Sequence, residues 1–252
     1  SSVKSVPHYG LGGYDIMSAT AEGTAATTQT LTTGVSSVTV ARYALQREVG
    51  DLARMTDVNG VLDFGKFALD SYNSFVGTVV DLAANVIDGF TATQTASTIM
   101  TLDDFAAAKQ KIGAYSGPYL AILHPKQWGE LEAELASTAA GAVAYTPATQ
   151  ALISTMGPGF RGQLLGVDIF VTDRVISSGG DRKGAILAPG ALVWADGVPP
   201  ISDPAEEILV DGRIKFSMDR QPSKGTALWV AEAYVGVSMG IDARGVTLGS
   251  DA

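Results

Sequence analysis

The longest run of regularly spaced apolar residues covers residues 61–88. Its members recur at intervals of three and four, which places them on one face of a helix: Phe64, Ala68, Tyr72, Phe75, Val76, Val79, Val80, Ala83, Val86 and Ile87. Lys66, Asp70 and Asp81 fall on the other face, and Gly89 is a natural stop. The pattern predicts a helix of about 42 Å, although its middle is also β-prone. A helix this long favours a strut in an extended subunit over one wall of a compact pocket.

Shorter patterns predict the elements on either side of this helix. Residues 35–49 begin as a β-branched strand and pass into a short helix, because Leu45, Val49, Leu52 and Met55 have helical spacing. Thr101 followed by Asp103 and Asp104 predicts a helix start, since acidic residues suit the first turn. Further helices are expected at residues 126–136 and 149–156. Strands are expected at residues 119–123, 164–172, 184–188, 191–194, 208–210, 213–219, 226–235, 234–241 and 246–248, with turns at residues 211–212 and 220–225.

The amino-terminal region lacks the apolar groups that a packed core requires. Residues 1–20 show no periodicity and are interpreted as an extended arm. Between residues 16 and 41 the only charge is Glu22, and Thr and Ser dominate. Such a stretch buries too little apolar surface to offset its ordering entropy. It is therefore either flexible or laid against another chain.

Composition narrows the classes of function. The chain has 252 residues, of which 46% are hydrophobic, and a formal charge of −9. This charge argues against a protein that coats nucleic acid non-specifically, because neutralising phosphates requires clustered Lys and Arg. No run of about 18 apolar residues predicts a membrane span, and the first residues contain no signal-peptide core. Without cysteine, disulfides and thiolate sites are excluded.

Candidate catalytic motifs are poorly supported. Residues 236–240 match the nucleophile elbow of hydrolases, with Ser238 as the nucleophile. In that family the base histidine follows the serine, whereas the two histidines here, His8 and His124, both precede it. Residues 157–162 match a dinucleotide-binding fingerprint by letter, but a strand is expected after them rather than a helix. We expect neither a catalytic site nor an enzyme.

Metal and cofactor sites are equally poorly supported. Two isolated histidines and no cysteine leave only carboxylates as ligands. Asp103 and Asp104 are explained by the helix start, and His124 by a structural role between a buried strand and a proline. We therefore expect no metal and no cofactor.

Residues 119–131, Tyr-Leu-Ala-Ile-Leu-His-Pro-Lys-Gln-Trp-Gly-Glu-Leu, resemble tailed-phage major capsid proteins of the HK97 fold, which often show a strand, then His-Pro, then a helix with an early aromatic residue. Residues 164–173 resemble the family's next strand, and residues 234–248 its closing strands. The order of elements matches over nearly the whole chain, and the specificity comes from that order.

The resemblance implies an α+β capsid fold with a defined division of the chain. The implied parts are an N-arm at residues 1–20, an extended E-loop at 21–56, a P-domain with its spine helix at 57–100, an A-domain at 101–200, P-domain strands with the capsid P-loop at 201–235, and a return to the A-domain at 236–252. The implied function is self-assembly into pentamers and hexamers of an icosahedral phage head that encloses double-stranded DNA. Its partners would be copies of itself, with cement, portal and scaffolding proteins and non-specifically contacted DNA. Its place would be the virion, after assembly in the host cytoplasm.

Intersubunit contacts are expected at the arginines of the E-loop and at the P-loop: Arg42, Arg47, Arg54, Arg220, Gln221, Pro222 and Lys224. Some relatives crosslink a lysine of the E-loop to a neighbouring asparagine, but residues 21–56 contain no lysine. Non-covalent contacts must then hold the shell, and ion pairs of Arg42, Arg47, Arg220 and Lys224 between subunits are expected. Two alternatives remain, an encapsulin-like nanocompartment shell and, more distantly, a serine hydrolase using Ser238.

Overall fold

The computed structural model describes residues 2–9, 33–57, 62–96, 98–137, 145–157, 159–201 and 207–251. The chain divides into two compact units. The first unit contains residues 1–4, 38–82 and 194–237, and the second contains residues 5–37, 83–193 and 238–252. Helices and sheets both occur, so the expected α+β class is confirmed.

The helices are α1 (Asp51–Thr56), α2 (Phe64–Ile87), α3 (Leu102–Lys111), α4 (Pro125–Ser137) and α5 (Gln150–Met156). The strands are β1 (Ser2–Tyr9), β2 (Thr33–Gly50), β3 (Thr93–Thr95), β4 (Tyr119–Leu123), β5 (Tyr145–Pro147), β6 (Phe160–Leu164), β7 (Val167–Val171), β8 (Ser177–Ser178), β9 (Asp181–Leu187), β10 (Leu192–Gly197), β11 (Glu207–Val210), β12 (Ile214–Gln221), β13 (Thr226–Met239) and β14 (Gly245–Asp251). The expected long helix is confirmed as α2, whose 24 residues span about 36 Å.

The sheet of the first unit has the order β1-β2-β13-β12-β11, with β10 paired to β13. Its central strands form an antiparallel hairpin in which Gln221 lies opposite Thr226. The expected turn between these strands is thereby confirmed, as is the tighter turn at Asp211 and Gly212, where both residues have positive φ. The long strand β2 pairs with β13 from Ala41 to Gly50.

Aromatic side chains hold α2 against this sheet. The ring of Phe64 lies 5.6 Å from that of Trp229 and 6.4 Å from that of Phe216, both edge-on. The ring of Phe67 lies 5.7 Å from that of Trp229. Such edge-to-face pairs stabilise a core by about 0.5–1.5 kcal/mol beyond the area they bury. This cluster fixes which face of α2 points inward.

The buried face of α2 differs from the expected one. Phe67 and Ser71 are buried, whereas Tyr72 and Val76, which were expected in the core, are exposed. The expected face was wrong at these positions because α2 carries apolar residues on two opposite faces, so spacing alone does not select one. The sheet selects the face that carries Phe64 and Phe67.

The expected strand that passes into a short helix is confirmed, although the change comes after Gly50, later than the helical spacing from Leu45 suggested. Strand β2 continues to Gly50, and only then does the short helix α1 begin. Leu45 and Val49 are four residues apart, which places them on one face of a strand as well as on one face of a helix. Both pack on the aromatic core of the first unit, and β13 supplies the ladder that decides between the two conformations.

The second unit is built on an eight-stranded sheet of order β3-β14-β9-β4-β7-β6-β5, with β8 paired to β9. The expected buried strand at residues 119–123 is confirmed as β4, which lies between β7 and β9. Helices α3 and α4 pack on this sheet through Phe105 and Leu131, which are both fully buried. The expected helices at residues 126–136 and 149–156 are confirmed as α4 and α5.

Two strand boundaries in the sequence analysis were wrong. The expected strand at residues 164–172 is a hairpin, in which β6 ends at Leu164 and β7 begins at Val167. Leu165 and Gly166 make the turn with positive φ, a conformation rarely adopted by leucine. The expected strands at residues 226–235 and 234–241 are instead one continuous strand, β13.

The expected start of α3 is confirmed as a capping box. The Thr101 hydroxyl accepts a hydrogen bond from the backbone N–H of Asp104, and the Asp104 carboxylate accepts one from the backbone N–H of Thr101. We predict that Thr101→Ala lowers the free energy of unfolding by about 1 kcal/mol, because the backbone N–H of Asp104 loses its acceptor and the Asp104 carboxylate loses the hydroxyl that donates to it. Urea titration measures the loss. Thr155→Ala on α5 is the control, since its hydroxyl only donates to the Ala151 carbonyl; equal losses in both variants would contradict the prediction.

Candidate assembly surface

Helix α1 and the tip of the β12–β13 hairpin form one exposed corner of the first unit. The backbone N–H of Asp51 donates to the carbonyl of Gly225 at 2.9 Å. The Arg220 guanidinium donates to the Asp51 carboxylate at 2.7 Å. Arg54 lies over the ring of Trp229, 6.0 Å from its centroid. These contacts hold the short helix against the turn.

This corner presents apolar and positively charged side chains together. Leu52 and Met55 on α1 are 74% and 84% exposed. Arg54 and Arg220 line an open depression with Asp51 and Met55. Large apolar side chains beside guanidinium groups are typical of protein–protein contacts, where Arg and Met are enriched.

The structure brings five of the seven expected contact residues to this corner: Arg54, Arg220, Gln221, Pro222 and Lys224. The last two lie in the turn, where the Lys224 N–H donates to the Gln221 carbonyl and the Gly225 N–H to the Pro222 carbonyl. Arg42 and Arg47 lie elsewhere along β2. Arg42 pairs with Glu232 and Arg47 with Asp70 of the same chain. Intersubunit ion pairs of these residues stay a prediction.

A row of alternating charges, which the sequence analysis did not find, crosses four adjacent strands. It runs from Glu207 on β11 through Lys215 on β12 and Glu232 on β13 to Arg42 on β2. The Lys215 Nζ lies 3.0 Å from Glu207 Oε1 and 2.6 Å from Glu232 Oε1. The Arg42 Nε donates to Glu232 Oε2 at 2.6 Å. Pro200 offers its carbonyl as a third acceptor to Lys215, also at 3.0 Å.

The centre of this charge row, Lys215 and Glu232, is buried on the sheet face opposite the aromatic core, whereas the Arg42 side chain at its end is more than half exposed. Lys215 and Glu232 are opposite each other in the ladder, and both are less than 10% exposed. Burial opposes ionisation of Glu232, but the hydrogen bonds from Lys215 and Arg42 outweigh it and hold the pKa of Glu232 below its ordinary value of 4.5. The hydrogen bond to Glu232 raises the pKa of Lys215 above 10.5, against the opposing effect of burial. Both groups are therefore charged at neutral pH.

The one sequence signal for this row is the placement of Lys215 and Glu232 within apolar strands. Residues 213–219 and 226–235 were expected as strands, and each carries a charge between apolar neighbours. The partners come from strands up to 190 residues away, so their identity depends on strand order, which the sequence did not supply.

His124, which the sequence analysis assigned a structural role, caps helix α4. Its Nδ1 accepts a hydrogen bond from the Lys126 N–H at 3.1 Å. Burial, followed by the charge of Arg182, lowers the pKa of His124 below 6.5, which favours the neutral ring that can accept this bond. Gln127, the third residue of the helix, accepts from the His124 N–H at 3.1 Å. The His-Pro-Lys-Gln run thus forms a variant of the capping box, in which the side chain at the N-cap accepts from the second helical residue and Pro125 occupies the first.

Comparison with solved structures identifies the architecture. The chain matches the capsid of the cyanophage P-SCSP1u with a TM-score of 0.66 and 10% identity, covering 99% of this chain and 84% of that one. It matches the capsid of Ralstonia phage GP4 with a TM-score of 0.65 and 11% identity, covering 100% and 83%. The chain has the HK97-type capsid fold. The resemblance drawn from residues 119–131 is confirmed at the level of the fold.

The HK97-type fold is also found in an encapsulin that the chain matches. The holo-SrpI encapsulin complex from Synechococcus elongatus aligns with a TM-score of 0.59 and 16% identity, covering 88% of this chain and 78% of that one. No protein-family model and no curated protein sequence matches the chain. The fold is therefore established by structure, at identities where sequence comparison finds nothing.

Within the HK97-type fold, Ser238 does not occupy a nucleophile elbow. It lies inside strand β13, which runs on to Met239, and a single 3-10 turn at Asp242–Arg244 follows. An elbow requires a sharp turn from strand to helix at the serine itself. Among the described residues no group of three or more His, Asp and Glu side chains could hold a metal ion. In the same part of the chain, no helix is both long and apolar enough to cross a bilayer.

Proposed function

We propose that the chain is a major capsid protein that assembles into pentamers and hexamers of an icosahedral phage head enclosing double-stranded DNA. The observation that carries the proposal is the fold match to phage capsids, which extends over 99–100% of the chain in the two cases above. A match of this extent leaves no room for an unrelated domain within these residues. The protein would act in the virion, after assembly in the host cytoplasm.

In this proposal each part of the chain has the role that the resemblance to capsid proteins implies for it. The N-arm at residues 1–20 and the E-loop at residues 21–56 reach neighbouring copies. The described part of these segments supports an extended form, since β1 and β2 are strands at one side of their sheet. Helix α2 is the spine of the P-domain, and the β12–β13 hairpin tip is its P-loop. The A-domain at residues 101–200 would contain six strands of the eight-stranded sheet, β4 to β9.

The net charge fits a container for DNA. A chain with a formal charge of −9 repels phosphate on average and does not hold the genome by sequence-independent pairing. DNA is then confined by the wall and contacted non-specifically at the lumen. Portal, scaffolding and cement proteins are the further partners expected of such a shell.

Electron microscopy of the full chain expressed alone tests the proposal directly. Closed shells with five-fold and six-fold capsomers are the expected result. A monodisperse single copy at all concentrations, with residues 1–56 resistant to protease, would overturn it, because a capsid subunit of this design is completed by its neighbours.

The exposed corner gives a prediction for assembly. Reversing both charges of the tip, Arg220→Glu with Lys224→Glu, should weaken each contact by about 1 kcal/mol, or about fivefold in its association constant. The yield of shells at fixed protein concentration, measured by light scattering and microscopy, should fall accordingly. Arg161→Glu with Lys126→Glu is the matched control, since both residues are exposed in the second unit. Unchanged assembly in the tip variant, with unchanged circular dichroism, would count against the prediction.

An encapsulin-like shell is the second candidate, favoured by the match to the Synechococcus elongatus encapsulin over 88% of the chain. The two functions differ in what the shell contains. Shells purified from their native source should yield nuclease-protected double-stranded DNA if the chain is a phage capsid. A single co-purifying cargo protein and no protected DNA would favour the encapsulin.

A further inference from the structure

Helix α2 has a second apolar face that its own unit leaves exposed. Leu69, Tyr72 and Val76 are 64%, 43% and 44% exposed. They lie on the side of the helix opposite Phe67 and Ser71, which are buried. A helix that is apolar on both faces is one that becomes buried on both. Exposed residues of this size, following one another along about two turns, mark an interaction surface.

The spacing of this outer face is that of a coiled-coil seam. Gly65, Leu69, Tyr72, Val76 and Val79 follow one another at steps of four, three, four and three. Leu62, directly before the helix, continues the series with a step of three. Alternating steps of three and four are the a and d positions of a heptad, which pack against a second helix at a crossing angle of about 20°. The seam is therefore suited to a helical partner.

We propose that this seam packs against the same seam of a second copy, antiparallel across a two-fold axis. In an antiparallel pair each a position faces a d position, and one register aligns all six seam residues. It sets Leu62 opposite Val79, Gly65 opposite Val76, and Leu69 opposite Tyr72. Gly65, the smallest residue of the seam, then lies opposite the β-branched Val76. Leu69 lies opposite Tyr72, the largest side chain of the seam. The seam is thus complementary to itself in size.

The polar residues that flank the seam are compatible with this register, because it brings no like charges together. Lys66 of one copy approaches Asn73 of the other, rather than its own counterpart, so no like charges meet. Asp70, on the same side of the helix, is paired with Arg47 of its own chain. An isologous contact of this kind joins two copies and closes on itself.

The proposed contact deepens the proposed function and rests on it, because assembly into a shell is what brings a second copy to the seam. In a shell of pentamers and hexamers, contacts across two-fold axes join neighbouring capsomers. The assembly corner at α1 and the hairpin tip uses other residues, so the two surfaces can act at once. The proposed contact thus buries the apolar face of α2 that does not pack on the core of its own chain.

Paired single-cysteine variants test the register. The chain has no cysteine, so Leu69→Cys and Tyr72→Cys each carry one thiol. When these two variants are mixed, assembled and treated with a short bis-maleimide, we expect a crosslinked dimer as the main product. Asn85→Cys alone is the control, because the register separates the two Asn85 positions by about 43 Å along the helix. Equal crosslinking in the mixture and in the control, or none in either, would overturn the proposal.

A charge on the seam provides a second measurement. Leu69→Lys should leave the fold intact, because the side chain is exposed, and should lower the association constant of the copies at least tenfold. Leu152→Lys on α5 is the matched control, since Leu152 is 46% exposed and belongs to the second unit. Unchanged association of Leu69→Lys overturns the seam. Shells that form without the crosslink refute the seam alone, whereas crosslinked dimers without shells refute the proposed shell alone.

Discussion

Replacing Lys215 with methionine should lower the free energy of unfolding by about 3–5 kcal/mol, because removing one partner of a buried ion pair leaves the other charge uncompensated. Two carboxylates, those of Glu207 and Glu232, lose the ammonium group that lies 3.0 and 2.6 Å away. The carbonyl of Pro200 loses its donor as well. Methionine fills a similar volume, so the loss reports on charge rather than on a cavity. Urea unfolding followed by tryptophan fluorescence measures it, with Trp229 in the same sheet as the reporter.

An exposed arginine two residues away is the matched control for this variant. Arg213 pairs with Asp196 at 3.1 Å and stacks on Trp194, but its side chain is more than half exposed. Arg213→Met should therefore cost only about 1 kcal/mol. Adding Glu232→Gln to Lys215→Met should recover part of the loss, since the second change removes a buried uncompensated charge. If Lys215→Met costs no more than Arg213→Met, the charge row contributes nothing measurable.

The pH dependence of the parent chain gives an independent check on the same row. The folded pKa of Glu232 is lowered, so the folded state binds its proton less readily than the unfolded state. Its contribution to stability is complete above the ordinary pKa of 4.5 and is lost as the pH falls through the lower folded value. The stability advantage of the parent chain over Lys215→Met should therefore narrow in acid.

The long-range pairing of this row also marks the limit of what the sequence could predict. Strands were located in both regions from β-branched and apolar patterns, which are local. Arg42 and Glu232 are 190 residues apart, and only the order β2-β13-β12-β11 brings the four charges into line. Local spacing contains no information about that order. The resemblance to capsid proteins supplied the fold but not the register of these strands.

The local patterns gave a wrong boundary or a wrong buried face where one spacing of apolar residues suits two different structures. Leu45 and Val49 suit one face of a strand or of a helix, and the pairing with β13 chose the strand. Helix α2 was found with its length nearly right, yet its apolar residues lie on two faces, and only the rings of Trp229 and Phe216 decide which face turns inward. The candidate contact residues of the hairpin tip were predicted because charge in a turn is a local feature. Their contacts with another copy stay a prediction.

Gln127 illustrates a polar core residue that a local rule could have found. Glutamine on an amphipathic helix is ordinarily exposed, yet Gln127 is 0% exposed. The signal was its place three residues after His124, with proline between them at the first helical position, because a capping box puts glutamine there. Beyond the cap, its amide nitrogen donates to the carbonyls of Arg182 and Leu248, both at 3.0 Å. One side chain thus ties the start of α4 to β9 and β14.

Gln127→Leu should accordingly lower the free energy of unfolding by about 3 kcal/mol or more. Leucine has nearly the same volume, but the N–H of His124 and two buried carbonyls lose their partners, at about 1–3 kcal/mol for each group left without one. Urea unfolding measures the loss, and the adjacent Trp128 reports on this unit. Gln163→Leu is the control, because Gln163 is exposed and makes a single bond to Asp168 at 3.1 Å; it should cost less than about 1 kcal/mol.

The isosteric variant Gln127→Glu separates hydrogen bonding from shape. A carboxylate still accepts from His124 but does not donate to the two carbonyls, which repel it, and burial then raises its folded pKa. Because the folded state binds this proton more readily than the unfolded state, the variant loses stability as the pH rises and regains it in acid. The deficit relative to the parent chain should thus be largest at neutral pH and smallest near pH ~4. A deficit that does not change with pH would mean that Gln127 acts through packing alone, and the two bonds to β9 and β14 would then not be what fixes α4 to the sheet.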